Sequence, residues 1–137
     1  MIKLDRLQIG DYVKAKIGED YKIGTVKFIS ERDALIHMDH IDLYVNEDQI
    51  YPIDITDDFL IKNGYKKDDV LEKETSYISE DGLIIFRKGE YYCNSNKKWY
   101  MHVDNSDFDT VLGCEIDYVH EYQHALKMSD SEKTVTV

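Results

Sequence analysis

Short runs in which apolar and polar residues alternate fill the first part of the chain and predict β-strands. YVKAKI alternates after the turn Gly10-Asp11, and YKIGTVKFI follows a second turn that begins at Gly18. A single helical turn is predicted at residues 46–49, before the last strand. The predicted strands are residues 12–17, 21–29, 34–38, 42–46 and 50–55. Five short strands with a helical turn before the fifth predict an SH3-like barrel over residues 1–55.

A short helix is predicted to follow this barrel at residues 56–64. Thr56 is a good N-cap, and Asp57 and Asp58 lie in the first turn, where the helix dipole favours negative charge. Asn63-Gly64 supplies the C-terminal stop. We interpret this helix as a joint between the barrel and the second half of the chain.

The second half, residues 65–128, reads as a charged connection, an antiparallel meander and a C-terminal helix. The turn Glu80-Asp81-Gly82 predicts a hairpin. A helix from about Glu115 to Met128 would cover one face of the meander. Residues 129–137 are expected to form a flexible tail. The predicted strands are residues 76–78, 83–87, 90–93 and 99–103. The predicted fold class is therefore α+β, mostly β.

Charge limits the classes of partner. The 137-residue chain carries 28 acidic and 17 basic residues, a formal net charge of -11. Its long-range field repels phosphate, which disfavours direct binding to nucleic acid or to an anionic membrane. The two cysteines have no CxxC spacing, and no apolar run is long enough for a signal peptide or a membrane span. We expect a cytoplasmic protein.

Three stretches carry a resemblance that covers nearly the full chain. They are LQIGDYV at residues 7–13, DQIYPIDITDDFLIKNGY at 48–65 and YVHEYQHAL at 118–126. With them the sequence resembles a family of small proteins, without an assigned activity, that Bacteroidetes and their phages carry. The runs GDYV at residues 10–13, GTV at 24–26 and VNEDQIYPI at 45–53 also resemble the strand order of Tudor-like and KOW-like SH3 barrels. The resemblance implies a fold and a phage or mobile-element habitat.

The stretch YVHEYQHALK contains the one motif with the spacing of a catalytic site. His120, Glu121 and His124 spell HExxH, in which two imidazoles one helical turn apart can share a zinc ion while the glutamate activates water. Asp130 occupies the position of the last ligand in the longer zincin motif. The alternatives are a noncatalytic metal site at the surface and a solvated helix face; the solvated face is supported by Asp117, which falls on the same side as these residues.

The chain also contains eleven tyrosines. In an SH3-like barrel, tyrosines near strand ends can form a cage or groove for a peptide or a methylated cation. The best candidates are Tyr12, Tyr21, Tyr44 and Tyr51. Tyrosine is also an ordinary half-buried strand residue, so this pattern has a purely structural reading as well.

Three hypotheses for function follow. The first is a noncatalytic module of phage or mobile-element origin that binds another protein through acidic and aromatic surface and needs no cofactor. The second is a minimal zinc-dependent hydrolase, with His120, His124 and Asp130 as ligands and Glu121 as the base. The third is an acidic DNA mimic that inhibits a nucleic-acid-binding protein of the host. Whether the protein is an enzyme stays open, and the first hypothesis is preferred.

Overall fold

The strands of the computed structural model form two antiparallel five-stranded sheets. The structure describes residues 1–68, 74–80, 82, 84–89, 99–105, 110–129 and 133–137. The α+β, mostly β class is confirmed. Two compact units divide the chain: one comprises Met1–Asp54 with Tyr118–His124, and the other comprises Ile55–Asp117 with Ala125–Val137.

The first sheet follows the alternation of the sequence closely. Its order is β4-β3-β2-β1-β5, and every pair is antiparallel. A 3-10 turn, Glu47–Gln49, precedes the fifth strand as predicted. That strand ends at Tyr51, earlier than predicted, because Pro52 has no N–H to continue the ladder. The strands are β1 (Tyr12–Ile17), β2 (Asp20–Ile29), β3 (Asp33–Met38), β4 (Ile41–Asn46) and β5 (Ile50–Tyr51).

The inward positions of this sheet form one hydrophobic core. Gly24 on β2 lies where a Cβ would be 2.5 Å from side-chain atoms of Ile36 and Met38, so only glycine fits there. The N-terminal segment closes the core, and the N–H of Ile2 donates to the carbonyl of Ile50 at 2.8 Å. The buried residues are Ile2, Leu4, Leu7, Val13, Ala15, Val26, Ala34, Ile36, Met38, Val45 and Ile50.

The second unit begins with the predicted helix. The Oγ1 of Thr56 accepts a hydrogen bond from the N–H of Phe59 at 3.2 Å, and Gly64 has a φ of +85°, which confirms both predicted ends. The strands that follow lie in the order β10-β9-β8-β7-β6. The elements are α1 (Asp57–Lys62), β6 (Lys66–Asp68), β7 (Glu74–Ile78), β8 (Ile84–Gly89), β9 (Trp99–Asn105) and β10 (Thr110–Glu115).

The predicted start of the C-terminal helix is wrong. Glu115 ends β10, where it pairs with Tyr100, and the helix α2 is Val119–Met128. No strand was predicted at residues 110–115, where β10 lies, because short apolar runs do not distinguish a strand from a helix in sequence alone. The strand predicted at 90–93, Asp81 of the predicted hairpin turn and Asp130 lie outside the described residues.

Aromatic side chains fill the interior of the second unit. Phe86 makes edge-to-face contacts with Tyr65 and Trp99, with ring centroids 5.1 and 6.3 Å apart. The indole N–H of Trp99 donates to the carbonyl of Ile55 at 3.0 Å, so its polar atom is satisfied. These contacts give the meander a core of its own.

The last residues of the chain are hydrogen-bonded to the end of α1. The side-chain amide of Asn63 donates to the carbonyl of Thr136 and accepts from its N–H, both at 2.8 Å. The Nζ of Lys62 donates to the oxygen of Val137 at 2.8 Å. The segment predicted to be a flexible tail is therefore anchored at residues 136 and 137.

Candidate functional site

The HExxH segment lies in the first turns of α2, and Glu121 caps the N-terminus of this helix. Its Oε2 accepts a hydrogen bond from the backbone N–H of Tyr118 at 3.2 Å. A glutamate at the third helical position that reaches back to the N-cap residue is half of a capping box. Glu121 thus stabilises the helix by satisfying a backbone donor that precedes it.

Gln123 binds the backbone at the beginning of β1. Its Nε2 donates to the carbonyl of Gly10 at 2.9 Å, and its Oε1 accepts from the N–H of Tyr12 at 2.8 Å. One amide therefore satisfies a donor and an acceptor, as a neighbouring strand would. The strand β5 does not reach this point, since it pairs with β1 only at Lys14 and Ala15.

His124 contacts the residue between these two backbone groups. Asp11 is fully buried, and its Oδ2 accepts a hydrogen bond from the N–H of Gln8 at 2.7 Å. The Nε2 of His124 lies 2.8 and 2.9 Å from the two carboxylate oxygens of Asp11. A buried carboxylate without such partners would be strongly destabilising. The second histidine of the motif therefore satisfies a buried acid.

His120 is the most enclosed member of the motif, with 5% of its surface exposed. Its ring stacks on Tyr118 at 5.9 Å and meets His124 edge-on at 5.9 Å. Its Nδ1 is buried and has no hydrogen-bond partner among the described residues. Burial lowers the pKa of His120, and it outweighs the acids Glu121 and Asp11, which act to raise that pKa. Burial thus favours the neutral form of the His120 imidazole.

The sequence also predicts that the polar side of this helix is solvated, and for His120 that prediction is wrong. The helical wheel correctly groups His120, Glu121 and His124, but Asp11 and Gly10 of the same unit lie against this part of the helix. A wheel reports which side chains share a face and contains no information about what covers it.

Two of the three proposed zinc ligands, His120 and His124, are adjacent. Their ring centroids are 5.9 Å apart, and the Nε2 of His124 is hydrogen-bonded to Asp11. Asp130 lies outside the described residues. In the part of the chain that the structure describes, no three His, Cys, Asp or Glu side chains are grouped so that they could hold a metal ion. No described third ligand accompanies the two histidines.

The four candidate tyrosines lie on the outward face of the first sheet. Residues directly opposite each other on neighbouring strands project to the same face. Tyr21 is opposite Lys16, and Tyr51 is opposite Lys14. The rings of Tyr21 and Tyr51 meet across β1, with centroids 5.4 Å apart and planes at 80°. The structure thus brings two of the four tyrosines into contact.

Tyr12 and Tyr44 make no ring contact with another aromatic residue that the structure describes. Tyr12 shares the face through its pairing with Thr25. Tyr44, 65% exposed, lies on the edge strand β4 at the other end of this face; it is opposite Leu35, and Leu35 is opposite Phe28. Tyr44 therefore belongs to a separate apolar row.

The residues that accompany the tyrosine pair were missed by the sequence analysis. Lys14 and Lys16 alternate with the buried Val13 and Ala15 along β1, and Ile23 is opposite Lys14. The alternation of YVKAKI was the signal that could have found both lysines. We call this set the tyrosine–lysine face. It consists of Tyr12, Lys14, Lys16, Tyr21, Ile23 and Tyr51.

The tyrosine–lysine face is open. Tyr21 is 54% exposed and Ile23 is 49% exposed, while Lys14, Lys16 and Tyr51 are half-buried. Large apolar side chains with this exposure, next to one another on a sheet, are typical of interaction surfaces. The sequence hypothesis expects acidic surface near the tyrosines, whereas the charged residues of this face are lysines.

Comparison with models of protein families, with curated proteins and with solved structures finds no match. Among the described residues, no helix has the length and apolar character that crossing a membrane requires.

Proposed function

We propose that this protein is a noncatalytic interaction module whose first unit is an SH3-like barrel. The strand order β4-β3-β2-β1-β5, with a 3-10 turn between β4 and β5, supports the barrel. The resemblance to the family from Bacteroidetes and their phages supports a mobile-element origin. In this proposal the barrel presents the tyrosine–lysine face to another protein.

One observation carries the proposal: the rings of Tyr21 and Tyr51 are in contact across β1, and Tyr21 and the neighbouring Ile23 are exposed. Aromatic side chains held in place lose little conformational entropy on binding, and they dominate binding energies at protein interfaces. The HExxH residues do not support a role in binding a partner, because Glu121 and His124 make contacts that stabilise the fold.

A photocrosslinking experiment tests the proposal. The photoreactive amino acid p-benzoylphenylalanine would replace Tyr21 in the full chain, and the control would carry it at Ile61, which is 58% exposed on α1. Both proteins would be irradiated in a Bacteroidetes lysate. We expect a discrete protein adduct from position 21, which unlabelled wild-type protein suppresses and the Tyr21→Ala/Tyr51→Ala variant does not.

Equal adducts from positions 21 and 61, or suppression by the double variant as strong as by the wild type, would contradict this function. Circular dichroism of the double variant is the folding control. The two tyrosines lie on the outward face, so we expect its spectrum to match that of the wild type.

A further inference from the structure

The tyrosine–lysine face differs in charge from the rest of the chain. The protein has a net charge of -11, yet the outward positions of β1, β5 and the first part of β2 include two lysines and no acid. These outward positions are Tyr12, Lys14, Lys16, Tyr21, Ile23, Thr25 and Tyr51. A cationic, aromatic strip on an acidic protein favours a ligand that is itself negatively charged where it docks.

Neither lysine of the face is neutralised within the described part of the chain. Neither Lys14 nor Lys16 forms an ion pair with a described residue. Lys22 of β2 shows the contrast, because its Nζ contacts Asp39 at 2.8 Å, and this contact raises the pKa of Lys22. The two cations of the face are therefore available to a ligand.

The spacing of Lys14 and Lys16 indicates the conformation of the ligand. Residues two apart on a strand are separated by about 6.6–6.8 Å and project to the same side. An extended peptide has the same repeat, so acidic residues at its positions i and i+2 would be in register with Lys14 and Lys16. Ile23 and the rings of Tyr21 and Tyr51 flank the lysines, and such apolar neighbours strengthen a charge pair by excluding water.

We propose that the tyrosine–lysine face binds an extended acidic peptide segment of the partner protein. Two carboxylates spaced i and i+2 pair with Lys14 and Lys16, and apolar parts of the segment pack on Tyr21 and Ile23, which flank the two lysines. This inference rests on the proposed function and adds the chemistry of the partner.

A single-stranded nucleic acid is the competing ligand, since it also combines regular negative charge with groups that stack on tyrosine. A polyanion, however, brings a charge with every nucleotide. Two lysines can neutralise only two of these charges, and the remaining charges meet the field of a protein with a net charge of -11. A peptide with a few carboxylates avoids this repulsion.

Fluorescence anisotropy with defined probes tests the proposal. The probes would be a short labelled peptide of alternating Glu and Thr that ends in Tyr, its counterpart with Gln at every Glu position, and oligothymidylate. We expect the full chain to bind the Glu peptide, more weakly as salt increases, and to bind the Gln peptide about tenfold more weakly because two charge pairs are lost.

Variants locate the binding. Lys14→Ala/Lys16→Ala should weaken binding of the Glu peptide about tenfold through loss of the same two charge pairs. The matched control is Lys3→Ala/Lys66→Ala, which removes the same charge from exposed residues outside the face and should leave binding unchanged. Unfolding in urea, measured on both variants, would identify any effect that arises from misfolding.

Each contrary result has a distinct meaning. Equal binding of the Glu and Gln peptides, or equal loss of binding in both double variants, would overturn the acidic ligand. Tighter, lysine-dependent binding of oligothymidylate would overturn it in favour of nucleic acid. If the crosslinked partner depends on Tyr21 and Tyr51 but not on Lys14 and Lys16, the interaction function stands and the acidic ligand is wrong.

Discussion

The HExxH segment and the tyrosine–lysine face belong to the same unit of the protein. By sequence, the HExxH segment is the stronger candidate for a catalytic site, whereas the structure favours the tyrosine–lysine face as the candidate functional site. The motif with catalytic spacing is enclosed: Glu121 caps its own helix, and His124 satisfies the buried Asp11. The plain alternation of YVKAKI, by contrast, places Lys14 and Lys16 on an open face beside paired tyrosines. The spacing of residues in the sequence does not show which side chains the fold leaves exposed.

The largest effect expected on the enclosed side is that of Asp11→Ala. This substitution removes the acceptor for both the Gln8 N–H and His124, and we expect a loss of about 3 kcal/mol in the free energy of unfolding. Urea denaturation measures it. Asp11→Asn, which keeps an acceptor oxygen, should lose less. If Asp11→Ala lost binding to the partner without losing stability, Asp11 would instead be a binding residue.

A somewhat smaller effect is expected for Gln123→Ala. The substitution leaves the carbonyl of Gly10 and the N–H of Tyr12 without their partner, which should cost about 2 kcal/mol of stability. Gln123→Glu is the matched variant, because its carboxylate can still accept from Tyr12 but repels the carbonyl of Gly10, so we expect a loss at least as large as that of Gln123→Ala. No loss of stability in either variant would refute the assignment.

His120 is expected to make the stability of the protein depend on pH. Its pKa in the folded protein is below its ordinary value of 6.5, so between these two values the unfolded chain binds more protons. Its contribution to stability is therefore present above pH 6.5 and decreases as the pH falls below it. We expect the His120→Phe variant to lose less stability than the wild type between pH 7 and pH 5, measured by urea unfolding at each pH. A steeper loss in the variant would show the opposite sign.

The smallest effect is expected from metal removal. The described contacts of His120 and His124 involve Tyr118 and Asp11 and need no metal. We expect EDTA treatment of protein purified without a His-tag to leave the melting temperature unchanged, with zinc below one equivalent by elemental analysis. If the wild type contained one equivalent of zinc and His120→Ala did not, the motif would be a metal site, and its contrast with the tyrosine–lysine face would be wrong.

Local patterns along the chain predicted most elements of the first half and the helix α1. The strands β1 to β4 follow from alternation, and the start of α1 follows from the capping preference of Thr56, because both signals act within a few residues. The start of α2 was predicted four residues too early. The strand β10, Thr110–Glu115, was not predicted; it pairs with β9, and strand pairing depends on a partner that local propensity does not specify.

Sequence alone determined that this is a mostly β protein with a net charge of -11, an alternating first half and an HExxH spacing in its last helix. Only the tertiary structure decided what that spacing is used for. Asp11 and His124 are 113 positions apart, and their contact exists because the fold brings the Gly10-Asp11 turn to the helix. The tertiary structure likewise joined Tyr21 and Tyr51 from strands on either side of β1, since pairing partners across a sheet are set by register and not by distance along the chain.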